Sequence, residues 1–217
     1  MDLLSTLRTT GAARDFTDEP VPDAVVHQVL DDARYAPSGG NRQPWKVAVV
    51  KDRALRSRLA ELMQTVSDEY AARVKLGVTP FNSVDDVTPA EVVRRVNPLL
   101  DRIPDLPVML VVAADLSRIA LMDGRLERPA LSGGASIYPF CWSILLAARE
   151  RGLGGVLTTF IARAEPLAAP ELDLPPGHAL AATIFLGVPE RQATKLTRRP
   201  VEAFTTVDRF GGDPFTA

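Results

Sequence analysis

Residues 134–159, GASIYPFCWSILLAARERGLGGVLTT, decide the architecture. Ile137, Cys141, Ile144, Leu145 and Ala148 recur at three- and four-residue spacing, which lays one apolar face along a helix from about Gly134 to Arg151. Gly152 reads as a left-handed cap, with Leu153 placed to close the capping motif. A strand, GGVLTT, then ends at Thr159. Glycines that follow a helix and precede a strand are in the wrong order for a dinucleotide-binding turn, and no GxGxxG follows a strand elsewhere.

Working outward, HALAATIFLG at 178–187 reads as a strand and PVMLVVAA at 107–114 as a strand buried on both faces. KVAVV at 46–50 is a shorter strand. Val25, Val26, Val29, Leu30 and Ala33 mark a helix over Asp23–Tyr35. Leu55, Leu59, Leu62, Met63 and Val66 mark another, from about Ala54. Helices and strands mix without a strict strand–helix–strand rhythm, which points to the α+β class. The stretch 67–105 is charged and broken by Gly77, Pro80, Pro89, Pro98 and Pro104. It reads either as a lid over a site or as a plain surface connection. Met63, Tyr70 and Phe81 are candidates for lining a pocket there, with core packing as the plainer role.

The chain has 217 residues, a formal net charge of −2 and 46% hydrophobic residues, which suits one globular domain. No basic stripe is present, so nucleic acid is not an expected partner. The longest apolar runs fall well short of the ~20 residues of a membrane span. The opening MDLLSTLRTT does not make a signal peptide. Cys141 is the single cysteine, so no intrachain disulfide forms, in keeping with a reducing compartment. The expectation is a cytoplasmic protein without a membrane partner.

Hydrolytic chemistry has little to work with. His27 and His178 lack metal-ligand spacing, and no GxSxG elbow or phosphate loop occurs. Cys141 lies on the apolar face of its helix, which suits core packing better than nucleophilic attack. Four polar stretches remain. In Pro37-Ser38-Gly39-Gly40-Asn41-Arg42-Gln43-Pro44-Trp45 two glycines permit close backbone approach to a flat ligand, while Ser38, Asn41 and Gln43 offer donors and acceptors. In Thr9-Thr10-Gly11-Ala12-Ala13-Arg14 the hydroxyls and the arginine fork suit a phosphate or ribityl chain. Thr158 and Thr159 close a buried strand, and Arg198 lies far along the chain. Each also has an ordinary reading, as connection, exposed loop, strand end or solvated charge. Together they imply an anion attached to a flat polar ring system.

APSGGNRQPW at 36–45 resembles the nitroreductase family. So do Phe16 with DEPVPD at 18–23, GASIYP at 134–139, LLAARERGLGG at 145–155, Leu157-Thr158-Thr159 and Arg198-Arg199-Pro200-Val201-Glu202, all in the family's order. The resemblance implies a single domain over 1–217, a three-layer sandwich with a mostly antiparallel sheet between helices. It implies an intertwined homodimer, FMN sites built from both subunits, a variable excursion at about 65–130, and a 188–217 extension packing on the partner. By that likeness Arg14 and Arg198 hold the FMN phosphate, and Thr10, Gly11 and Ala12 lie near the phosphate and ribityl chain. Pro37, Ser38, Gly39, Asn41 and Gln43 contact the ring system, and Leu157, Thr158 and Thr159 line its other side. Hydride then passes from NAD(P)H through flavin to a nitroaromatic, a quinone or an activated alkene. The flavin carries the chemistry, so no protein acid or base is required.

The chain departs from the family at one motif. Many relatives carry arginine at one or both of the positions matching Thr10 and Gly11, and serine at the position matching Ala12. A hydrogen bond to a charged group is worth about 1.5–3 kcal/mol, or roughly 10- to 150-fold in affinity. The departure leaves open a different donor or cofactor, such as a deazaflavin, and a dimeric binding protein that has lost tight FMN binding.

Overall fold

The computed structural model describes residues 2–82, 84 and 86–216; Ser83 and Asp85, within the 67–105 stretch, lie outside the described residues, as do both terminal residues. In chain order the main elements are α1 (Leu3–Thr9), α2 (Asp23–Ala33), β1 (Trp45–Val49), α3 (Arg53–Lys75), α4 (Pro98–Asp101) and β2 (Val108–Asp115). They continue with α5 (Tyr138–Glu150), β3 (Gly154–Thr158), α6 (Phe160–Arg163), α7 (Glu165–Glu171) and β4 (His178–Gly187). The strands form one antiparallel sheet in the order β1-β2-β4-β3.

Strand alternation divides the core in two. Met109, Val111 and Ala113 of β2 join Phe185 of β4 under Leu59 and Met63 of α3. Leu110, Val112 and Ala114 join Ala182 and Ile184 under Val29 of α2 and Cys141 and Ile144 of α5. A central strand sandwiched between helices on both faces must be apolar at every position, which is why PVMLVVAA carries no alternation. The fold is the α+β three-layer sandwich.

Three boundaries differ from the sequence reading. The helix predicted from Gly134 begins at Tyr138, because residues 132–134 form a 3-10 turn and Pro139 suits a first-turn position. Its end is as predicted: Gly152 has φ +76°, and the Leu153 and Gly152 amides donate to Ala148 and Arg149 carbonyls at 3.0 and 3.1 Å. The strand predicted through Thr159 ends at Thr158. At the third boundary, α3 runs on to Lys75, so the irregular stretch starts at Leu76. Met63 is fully buried in the core. Phe81 lies between the guanidiniums of Arg73 and Arg163, at 4.3 and 4.2 Å, with the Tyr70 ring tilted against it at 6.3 Å.

Among the described residues no helix is long and apolar enough to cross a membrane. Cys141 is fully buried, and burial pushes its thiol up to about 12. Thiolate is the reactive form. Native protein at neutral pH is therefore expected to leave a thiol-specific chromogenic reagent unreacted, with one thiol per chain released by denaturant. Rapid labelling of the native state would show that the α5 face opens.

Candidate functional site

β3 is an edge strand, and the N-terminal motif lies along its outer edge. Ala12 bridges Gly155 in parallel, and the Ala13 amide donates to the Gly155 carbonyl at 2.9 Å. Alternate residues of a strand direct their backbone groups to the same side, so Leu157 presents its N–H and C=O to this same edge. Thr158 Oγ1 is buried and has no hydrogen-bond partner, which is costly unless something polar reaches it. Arg14 is exposed and takes part in no ion pair among the described residues.

The hydroxyls of this motif find partners within their own helix. Thr10 is buried at the end of α1 and donates to the Thr6 carbonyl at 2.7 Å, while Thr9 donates to Ser5 at 2.8 Å. Both protons are committed to their own helix and are withheld from an anion. Gly11 is covered by the chain's own tail: a Cβ there would stand 2.9 Å from Leu196 Cδ2 and 3.3 Å from Ala193 Cβ. The tail leaves a hollow of about 400 Å³ over Gly11, Ala12 and Ala13, to which it contributes Arg191 and Lys195. Neither cation takes part in an ion pair among the described residues. Sequence reading missed both, since nothing local marks residues 191–195 as neighbours of residue 11. Arg198 is exposed and donates to the adjacent Thr197 carbonyl.

The second cluster surrounds Pro37–Gln43. Gly40, Asn41 and Gln43 all have left-handed φ, at +60°, +52° and +47°. Non-glycine residues adopt this region at a cost and need fixing by their surroundings. Ser38 Oγ accepts the Gln43 amide at 3.0 Å, and Ser136 Oγ accepts the Gly39 amide at 3.0 Å. Gln43 also donates to Asn41 Oδ1 at 3.0 Å. Ser136 belonged to a recognised motif without a role; it is the clamp between this loop and the approach to α5.

The two clusters lie at opposite edges of the sheet. Trp45 follows the loop into β1, whereas Ala12 bridges the outer edge of β3, four strand spacings or roughly 19 Å away. One protomer does not close both onto a single flat ring.

A family model described as "Nitroreductase family" matches residues 7–188. The chain belongs to this family. Both edge clusters fall inside the matched span, whereas Arg191, Lys195 and Arg198 fall beyond it. Nitrobenzene nitroreductase of Ectopseudomonas oleovorans is 29% identical over 92% of the chain and 94% of that protein. Rat iodotyrosine deiodinase 1 is 27% identical over 89% of the chain and 63% of that protein. Among solved structures, a putative nitroreductase in complex with FMN from Desulfovibrio desulfuricans superposes with TM-score 0.68 at 19% identity, covering 97% of this chain and 98% of that one.

In this nitroreductase-family chain a loop hub stands beside the 37–43 cluster. Asp123 accepts from Arg128 at 2.7 Å, from the Leu131 and Ser132 amides at 2.8 and 3.1 Å, and from the Ser132 hydroxyl. The Ser132 hydroxyl first, then the Leu131 amide and Arg128, hold its carboxyl well below the usual range. A carboxylate with a depressed folded pKa contributes its full stability above the unfolded value, about 3.9, and loses it as pH falls through the folded value. The 121–132 loop is thus fastened across the neutral range. Asp123→Asn removes that charge, and trypsin is expected to cut at Arg125 and Arg128 several-fold faster than in the parent. Equal cleavage rates would show that the loop is held otherwise.

Proposed function

We propose that this chain is an FMN-dependent oxidoreductase that passes hydride from NAD(P)H to a small organic acceptor: a nitroaromatic, a quinone or an activated alkene. The proposal includes a homodimer working in the cytoplasm. The observation that carries it is the open edge of β3, where family membership meets an unpartnered Thr158 hydroxyl, an outward Leu157 backbone and uncompensated cations. These residues fit a flavin mononucleotide, which has a flat polar ring at one end and a phosphate at the other. FMN supplies hydride chemistry when bound. In this reading Ala12, Leu157, Thr158 and Thr159 flank the ring and ribityl chain. Arg14, Arg191 and Lys195, with Arg198 further along the tail, neutralise the phosphate. Pro37, Ser38, Gly39, Asn41 and Gln43 reach the ring from the second protomer, since their own lies across the sheet.

An apolar surface supports the dimer. Leu3, Leu4 and Leu7 of α1, Tyr138 and Trp142 of α5, and Phe204, Phe210 and Phe215 of the tail are exposed, and α1 packs on α5. Large apolar side chains left exposed in such number suit an association surface.

The test is a visible spectrum of the protein supplied with FMN, then anaerobic NADH or NADPH. Bound-flavin bands that bleach are expected. Bands that persist with both donors would overturn the nicotinamide assignment, and a protein that never retains FMN would overturn the cofactor. The deiodinase relative favours a second reading, with an aryl halide as acceptor. Iodide released from iodotyrosine by the reduced protein, with no nitroarene reduction, would establish it.

A further inference from the structure

Beside the Pro37–Gln43 loop is a second hollow, of about 280 Å³, which shares Pro37, Ser38 and Gly39 with the flavin contacts proposed above and adds residues to which that reading gives no part. One wall is apolar, formed by Ile119, Ala120 and Met122; two guanidiniums, Arg42 and Arg118, stand in the lining. Their charge is unevenly compensated. Arg118 pairs with Asp115 at 3.2 Å and donates to the Arg42 carbonyl at 3.3 Å. Asp123, whose loop adjoins the hollow, is spent on Arg128, Leu131 and Ser132. Arg42 donates to the Gly39 carbonyl at 3.3 Å, and no carboxylate pairs with it among the described residues. The hollow therefore carries one positive charge in excess.

The backbone that carries this charge is held in place. The backbone bearing Arg42 is flanked by left-handed Asn41 and Gln43, and is pinned by Ser38 and by Ser136 from the approach to α5. The Arg42 guanidinium also lies against Gly40, where a Cβ would come within 3.3 Å of it. A guanidinium with free donors on a held backbone, next to an apolar wall and adjoining a flavin-contacting loop, suits a flat ring that bears an anionic group.

We infer that the acceptor of this chain is an aromatic carboxylate, its carboxylate held by Arg42 with Arg118 beside it and its ring along Ile119–Met122. This rests on the oxidoreductase reading for turnover, but not for binding. Binding is read by calorimetric titration of benzoate into the parent protein, Arg42→Ala and Arg42→Lys. Turnover is read as the ratio of kcat/KM for 4-nitrobenzoate to that for nitrobenzene. In the parent the ratio should exceed unity and decline with salt, because screening weakens exposed charge pairs. In Arg42→Ala the ratio and the benzoate affinity should both fall by about 10- to 150-fold, with partial rescue by lysine. Benzoate that fails to bind the parent, or binds Arg42→Ala equally well, overturns the inference. So does an equal loss for both acceptors, which marks a loop-shaping role. Benzoate binding that depends on Arg42, with no reduction of either nitroarene, upholds the anionic seat and overturns the nitroarene as acceptor, while the flavin spectrum decides the oxidoreductase reading separately.

Discussion

Replacing Arg191 and Lys195 together by alanine is expected to weaken FMN by at least 10- to 150-fold, roughly the worth of one charged hydrogen bond. Riboflavin, which lacks the phosphate, should bind both proteins alike. At Gly11, one of two positions where the family resemblance leads to the expectation of an arginine, this chain has laid Leu196 and Ala193 at 2.9 and 3.3 Å from the Cβ position. An arginine at 11 and the present tail cannot occupy the same space. The tail that excludes it delivers Arg191 and Lys195 to the same hollow. Charge lost from the helix end returns from a segment some 180 residues later. Flavin fluorescence titration at two salt concentrations checks this: the parent's preference for FMN should shrink with salt, and the double variant should show little preference at either. A parent that prefers FMN while the double variant prefers it equally would leave the phosphate to Arg14 and Arg198.

The parts of the fold legible in the sequence are those set by local rules. β4 and β2 follow from apolar runs, α2 and the core of α5 from helical spacing, and the end of α5 from glycine at the one place a left-handed residue is needed. The last turns of α3 were not legible. Gln64, Ser67, Asp68 and Arg73 are polar, which suggests exposure, yet all four are buried. Their partners come from the far side of the excursion: the Arg95 amide donates to Asp68, Gln64 donates to the Arg95 carbonyl, Asn97 donates to Ser67, and Arg73 bonds Asp86. Periodicity measures hydrophobicity along one helix and is blind to a polar face satisfied from 13 to 31 residues away.

The site divides along the same line. Ser38, Asn41 and Gln43 stand out by residue type, and the left-handed backbone at Asn41 and Gln43 agrees with the density of glycine and amide side chains in that loop. Thr10 misled for the opposite reason. A hydroxyl at a helix end serves the helix as readily as a ligand, and only geometry shows which. Arg42 was passed over between two amides, because an arginine in a loop is ordinarily solvated; its missing counter-charge becomes visible only once Asp115 and Asp123 are seen to be engaged.

Gly155→Ala is expected to damage stability and flavin binding together. Its Cβ would stand 2.6 Å from Leu186 Cδ2, 2.8 Å from Leu145 Cδ2 and 3.0 Å from the Phe185 carbonyl. Leu186 is fully buried, Leu145 belongs to α5, and the Phe185 carbonyl belongs to the neighbouring strand β4, so none of them yields freely. Overpacking of this kind costs about 1–3 kcal/mol. At roughly 2–4 °C per kcal/mol for a domain this size, Tm should fall by about 2–12 °C. The displaced strand is the one whose outer edge accepts the Ala13 amide and carries Leu157 and Thr158, so FMN affinity should fall even at temperatures where the variant is folded. Gly152→Ala separates crowding from strain: it meets nothing within 4 Å but must hold φ +76°. It should lower Tm, by the roughly 1–2 kcal/mol of a left-handed alanine, and leave FMN affinity alone. If Gly155→Ala melts with the parent, or loses stability with unaltered FMN affinity, then β3 tolerates the shift and its outer edge is not where the cofactor is gripped.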